Sequence, residues 1–117
     1  MRVLFDQATP VPIRPYLGHV VRTAAQQGWD MLKNGDLLAA AEADGFDVWL
    51  TTDKNILYQQ NLAGRKIAVV VPQRQQWPQF RPHVQRVVEA VNAATPGSYL
   101  EINIPPESRD RDQKRER

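Results

Sequence analysis

The chain has 117 residues, of which 42% are hydrophobic, and it contains no cysteine. This composition suffices for one hydrophobic core but not for two, so we expect a single domain. The lack of cysteine excludes disulfides and thiolate metal sites, which leaves oxygen ligands or histidine for any bound metal. The net charge of +2 is too small to indicate a dedicated nucleic-acid binder.

The sequence also indicates the cellular compartment of the protein. It has no run of about 18 apolar residues, which a transmembrane helix would need. Met1 leads directly into a strand pattern rather than into a charged and then apolar signal segment. These features predict a cytoplasmic protein that does not associate with membranes.

The first half of the chain alternates strand and helix patterns. In chain order, we predict a strand at Arg2–Phe5, a short proline-rich helix ending at Gly18, a strand at His19–Ala24, a helix from Asn34 to Gly45 and a strand at Asp47–Thr52. Asn34 is the predicted N-cap of the longer helix, and Asp36 falls in its first turn.

The second half continues the alternation. We predict a helix from Lys54 to Gly64, a strand at Lys66–Val71, an amphipathic helix after Pro78 and an edge strand at Tyr99–Ile104. Residues 106–117 contain no strongly apolar side chain and are predicted to form a disordered, charged tail. The folded domain therefore spans residues 1–105.

This alternation predicts a three-layer α/β/α domain with a mostly parallel sheet of about five strands. The runs RVLF and DVWLT are continuously apolar at their centres, as expected for strands covered on both faces. We expect these two strands to be neighbours, with Lys66–Val71 next outward.

Three acidic residues are candidates for a common site. Asp6 and Asp53 each follow a predicted strand, and ligands in open α/β sheets bind outside the carboxyl ends of the strands. Asp36 lies at a helix start that could face the same end of the sheet. Clustered carboxylates repel one another, and Mg²⁺ or Mn²⁺ would neutralise them while positioning a water for phosphodiester hydrolysis.

A purely structural interpretation of the same residues stays open. Asp53 is a good N-cap for the helix predicted after it, and Asp36 suits the positive end of its own helix dipole. Asp6 could simply begin a turn. Lys54 is equally compatible with a contact to a substrate phosphate and with a solvated helix position.

The segments DQATP, NGDLLAAAEADGFDVWLTTDKN and LAGRKIAVVV, in this order, resemble the compact PIN-like domains of bacterial proteins. The similarity covers about residues 2–71 well and the rest loosely. Its most specific elements are the TTD of Thr51–Asp53 and the Asp6 that follows RVLF. Asp6, Asp36 and Asp53 fall where such domains keep acids.

This resemblance implies a PIN-like fold, a Mg²⁺ or Mn²⁺ site and endoribonuclease activity on single-stranded RNA. Such proteins are commonly the toxin of a toxin–antitoxin pair, which implies an antitoxin protein as a partner and leaves a homodimer open.

The chain also departs from the family pattern. Gln7, Asn34 and Asn55 stand where such domains often carry further acids. Amides can still bind a cation through their carbonyl oxygens, but they contribute no negative charge. The alternative function is therefore a PIN-like interaction module that binds a protein partner or RNA without cleaving it.

The predicted tail leads to a first test. Deleting residues 107–117 should leave the melting temperature nearly unchanged, because a segment without apolar side chains buries little surface on folding. Thermal melting of the full-length and truncated proteins measures this. A drop of more than about 4 °C, roughly 1 kcal/mol for a domain of this size, would show that the tail packs on the domain.

Overall fold

The computed structural model describes residues 1–53, 62, 64–74 and 76–105. Within them, five strands form one sheet in which every pair of neighbours is parallel. The strands are β1 (Arg2–Phe5), β2 (Val20–Thr23), β3 (Val48–Leu50), β4 (Ala68–Pro72) and β5 (Tyr99–Ile102), in the spatial order β2-β1-β3-β4-β5. The α/β prediction and the predicted order of the three central strands are confirmed.

Helices cover both faces of this sheet. They are α1 (Arg14–Leu17), which follows a 3₁₀ turn at Val11–Ile13, then α2 (Asn34–Ala43), α3 (Trp77–Phe80) and α4 (Val84–Ala93), the last two joined by a 3₁₀ turn at Arg81–His83. Among the described residues, no helix is long and apolar enough to cross a membrane.

Side-chain alternation along the strands divides the core into two halves. Val3 and Phe5 of β1 point to the face that α1, α3 and α4 cover, whereas Leu4 points to the face that α2 covers. Trp49 of β3 is fully buried on the α2 face beside Leu4. Burial on both sides explains why the central strands are continuously apolar, and it gives the three-layer arrangement that the sequence predicts.

The order of the strands reverses between β1 and β3. β2 lies to one side of β1, while the chain continues on the other side through β3, β4 and β5. Such a reversal leaves a crevice at the carboxyl ends of the two strands, because their connections leave in opposite directions. Asp6 and Asp53 follow these two strand ends.

Two local predictions differ from the structure. The N-cap of α2 is Lys33 rather than Asn34, because the first helical hydrogen bond runs from the Leu37 N–H to the Lys33 carbonyl oxygen (2.6 Å). The amphipathic helix is interrupted: α3 and the 3₁₀ turn precede α4, since Pro82 cannot donate the backbone hydrogen bond that one continuous helix needs at this position.

The predicted helix over 54–64 and the predicted tail over 106–117 fall almost wholly outside the described residues. The last strand does form an edge of the sheet, as predicted.

The turn before β5 provides a test of the packing. Gly97 has φ of +77°, and a Cβ there would lie 2.8 Å from the Arg65 carbonyl oxygen. Gly28 has nearly the same φ, +78°, but a Cβ there would have no other atom within 4 Å. We expect Gly28→Ala to lower the free energy of unfolding by about 1 kcal/mol through backbone strain alone, and Gly97→Ala by at least about 2 kcal/mol. Urea unfolding of both variants measures the difference, and equal losses would contradict the close approach.

Candidate functional site

A cleft of about 210 Å³ opens at the carboxyl ends of β1 and β3. Its polar side chains are Asp6, Gln7, Asp30 and Asp53, and its larger apolar side chains are Trp29, Leu32 and Leu37. A neighbouring hollow of about 290 Å³ shares Asp6 and Gln7 and extends toward Thr23 at the end of β2. Among the residues that the structure describes, no lysine or arginine lines either space. We call the first space the Asp6 cleft.

The Asp6 carboxylate is held on both of its oxygens. Oδ1 accepts a hydrogen bond from the Ala8 N–H (3.1 Å) and lies 2.8 Å from the Thr9 hydroxyl. Oδ2 accepts a hydrogen bond from the Thr51 hydroxyl. Thr51 in turn accepts a hydrogen bond from the backbone N–H of Asp53 (3.1 Å), so a continuous chain of hydrogen bonds joins the ends of β1 and β3.

Three threonines join the loop after β1 to the loop after β3. Thr9, Thr51 and Thr52 are nearly or fully buried. The Thr9 hydroxyl reaches the Leu50 carbonyl oxygen (2.7 Å), and the Thr52 hydroxyl donates to the Ala8 carbonyl oxygen (3.1 Å). Since buried polar groups need partners, these contacts fix the two loops relative to each other. The two threonines of the TTD motif therefore hold Asp6 and its loop in place, and Thr51 also binds the backbone of Asp53.

The surroundings of Asp6 favour its protonated form. Burial raises the pKa of Asp6 above its usual value of 3.8, although the hydrogen bonds from Thr51, Thr9 and Ala8 oppose this rise. The Thr9 hydroxyl has one proton but lies within hydrogen-bonding distance of both Asp6 Oδ1 and the Leu50 carbonyl oxygen. A protonated Asp6 could donate to Thr9 while Thr9 donates to Leu50, which satisfies all three groups.

The Trp49 indole lies on the same face of the sheet as Asp6. Leu4 pairs with Trp49 across β1 and β3, and Asp6 is two residues beyond Leu4. The indole N–H is buried and has no hydrogen-bond partner within normal geometry. The Trp49 side chain nevertheless opposes the rise in the pKa of Asp6.

The structure brings together two of the three predicted acids. Asp6 and Asp53 both line the Asp6 cleft, whereas Asp36 is exposed in the first turn of α2 and is not part of the lining. Within the described part of the chain, no three acidic or histidine side chains are grouped closely enough to hold a metal ion. Lys54, Asn55 and the side chain of Asn34 lie outside the described residues.

Asp30 is a cleft residue that the sequence reasoning missed. It follows Trp29 in the loop between β2 and α2, and the Gln7 side-chain N–H donates to its carbonyl oxygen (3.1 Å). A glutamate at position 7 could not make this contact, because an ionised carboxylate has no proton to donate. No strand-end or helix-start rule applies to a residue in such a loop, so only the Trp29–Asp30 sequence itself could have drawn attention to it.

The chain matches no protein-family model, curated protein or solved structure in the three comparisons made with known proteins.

The raised pKa of Asp6 predicts a dependence of stability on pH. The folded protein holds the Asp6 proton more tightly than the unfolded chain, so the stabilisation from this group is complete below about pH 3.8 and is lost as the pH rises through the raised value. We therefore expect the free energy of unfolding of wild type, relative to Asp6→Asn, to fall as the pH rises above about 3.8. Urea unfolding in EDTA measures it.

The control variant is Asp36→Asn, which removes a carboxylate at an exposed position and should follow the wild-type trend. A difference between wild type and Asp6→Asn that stays constant or grows with pH would contradict the raised pKa.

Proposed function

We propose that this protein is a PIN-like, metal-dependent endoribonuclease that acts on single-stranded RNA, with Asp6 and Asp53 as the ligands of a Mg²⁺ or Mn²⁺ ion. The observation that carries the proposal is the placement of both carboxylates in one cleft at the point where the strand order reverses. Asp6 is also a largely buried acid without a described cationic partner, an arrangement that a bound cation would stabilise.

The donor set of the Asp6 cleft fits a hard cation. Its candidate ligands are the carboxylate oxygens of Asp6 and Asp53 and the amide oxygen of Gln7. Mg²⁺ usually binds to one or two carboxylates, keeps several waters and takes its remaining ligands from substrate phosphates. Two carboxylates at the ends of β1 and β3 therefore suffice, and Asp36 is not required as a ligand.

The bound ion would supply a polarised water and offset negative charge on the phosphodiester. The residues of the protein would orient the groups that hold the ion. Thr51 and the Ala8 N–H fix the orientation of the Asp6 carboxylate, and Thr51 also holds the backbone of Asp53. The half-buried Trp29 and the buried Leu37 form apolar walls that limit the access of water. These contacts hold the Asp6 carboxylate and the backbone of Asp53 in place before any substrate binds.

The proposal extends to the biological setting of the enzyme. It places the protein in the cytoplasm, where its RNA substrate is found, as the toxin of a toxin–antitoxin pair. The antitoxin would then be a protein that binds this domain and blocks the Asp6 cleft.

A second candidate is the interaction module, which keeps the fold without cleaving RNA. The exposed position of Asp36 favours it, together with the absence of a group of three metal-binding side chains from the described residues. The amide of Gln7, which serves the loop contact to Asp30, points in the same direction.

Asp53→Asn separates the two functions. For an intact metal site, Mn²⁺ at a hundred times its dissociation constant should stabilise wild type by about 2.7 kcal/mol, which raises the melting temperature by several degrees. The variant should melt like wild type in EDTA, because Asn and Asp are equally good N-caps, and should lose the shift with Mn²⁺. Melting curves with and without Mn²⁺ measure this.

The matched control is Glu89→Gln, an exposed position on α4 that should keep the full Mn²⁺ shift. Cleavage of a labelled single-stranded RNA in Mn²⁺ provides the second measurement. Wild type should cleave it, and Asp53→Asn or added EDTA should abolish cleavage. If wild type shows neither a shift nor cleavage at millimolar Mn²⁺, the interaction module is the better description.

A further inference from the structure

Charge is unevenly distributed along the chain. Residues 1–53 contain four Lys/Arg and seven Asp/Glu, a net charge of −3, whereas residues 54–105 contain six Lys/Arg and two Asp/Glu, a net charge of +4. The overall charge of +2 hides this difference. The strands β1 and β3, with the Asp6 cleft, belong to the acidic part, and β4 and β5 belong to the basic part.

Three arginines of the basic part lie in the segments that follow β4 and begin α4. We call Arg74, Arg81 and Arg86 the arginine strip. Arg81 and Arg86 are exposed and Arg74 is half-buried. Within the described residues, the ion pairs are Arg2–Asp44 and Arg65–Glu42, so no arginine of the strip is paired with a carboxylate there.

Two of these arginines are anchored to the chain where it leaves β5. Arg74 Nε donates to the Ile104 carbonyl oxygen (3.1 Å), and Arg86 Nη1 donates to the Asn103 carbonyl oxygen (2.9 Å). A guanidinium group has five N–H donors, so each arginine is fixed by one donor while the others stay available. A guanidinium group held in position in this way can bind two oxygens of one phosphate group at the same time.

Among the described residues, the two carboxylates nearby form no ion pair with these arginines. Glu101 on β5 accepts hydrogen bonds from the Gln73 amide (3.1 Å) and the Tyr99 hydroxyl (3.0 Å). Glu89 is exposed on α4, three residues beyond Arg86.

The strip lies at the same end of the sheet as the Asp6 cleft. All strands are parallel, so the segments after β4 and β5 emerge beside those after β1 and β3. β5 is two strand spacings from β3, or about 10 Å.

We propose that the arginine strip binds the phosphodiester backbone of single-stranded RNA and leads it across the ends of β5 and β4 into the Asp6 cleft. This inference rests on the proposed ribonuclease function for its direction, although the binding can be measured without cleavage. The strip supplies phosphate contacts, and the cleft supplies the carboxylates for the ion. The same separation keeps the arginines from neutralising Asp6 and Asp53.

The test measures binding of a fluorescein-labelled oligouridylate by anisotropy, in EDTA and at several NaCl concentrations. Each phosphate contact on a single strand contributes about −0.7 to the slope of log Kobs against log[NaCl]. We expect Arg74→Gln and Arg86→Gln each to weaken binding and to reduce the magnitude of that slope by about 0.7, and the double variant to reduce it by about 1.4.

The matched control is Arg22→Gln on β2, at the opposite edge of the sheet. Arg22 is also half-buried and anchored by neutral groups, namely the Gln27 side chain (2.7 Å) and the Gln26 carbonyl oxygen (3.4 Å). The Arg22→Gln substitution removes the same charge but away from the arginine strip, so RNA affinity and the salt slope should stay at wild-type values. Melting curves confirm that all variants are folded.

Four outcomes decide the matter. A slope in the double variant equal to that of wild type overturns the inference, as does an equal loss in Arg22→Gln. Absence of RNA binding combined with binding of polyglutamate assigns the strip to an acidic protein partner and overturns it as well. RNA binding with the expected slopes but without cleavage in Mn²⁺ supports the inference while the ribonuclease function fails.

Discussion

The structure of the candidate site depends on one half-buried carboxylate, that of Asp6. Removing an ionised carboxylate from water is costly unless hydrogen bonds or a counter-charge compensate it. Hydrogen bonds from Thr51 and the Ala8 N–H compensate part of this cost, and a proton or a cation would compensate the rest. The desolvation cost that these hydrogen bonds do not compensate raises the pKa of Asp6.

The same hydrogen bonds determine the shape of the end of the sheet. Thr51 connects Asp6 to the backbone of Asp53, and the Thr9 and Thr52 hydroxyls join the two loops from opposite directions. Because these threonines are buried, water cannot easily replace their contacts. The position of Asp53 in the cleft is therefore coupled to that of Asp6, although 47 residues separate them in sequence.

The parallel sheet also brings groups of opposite charge to one end of the molecule. The acidic residues follow β1 and β3, and the arginine strip follows β4 and flanks the exit of β5. The proposed function would use both, since positive charge attracts an RNA backbone and oxygen ligands hold a divalent metal ion. In the strand order, the segments that carry the two groups are one to two strand spacings apart.

The sequence by itself determined the layers, most of the elements and the strand ends that carry Asp6 and Asp53. Continuous apolar runs occur where strands are covered on both faces, and the carboxyl ends of parallel strands lie at the same edge of the sheet, so both features can be predicted from local patterns.

Which loop residues complete the cleft depends on the tertiary structure. Asp30 enters it through packing of the loop around Trp29 and the contact from Gln7, while Asp36, equally acidic and placed at a helix start, remains exposed. Such choices depend on contacts between distant segments, which no local pattern encodes.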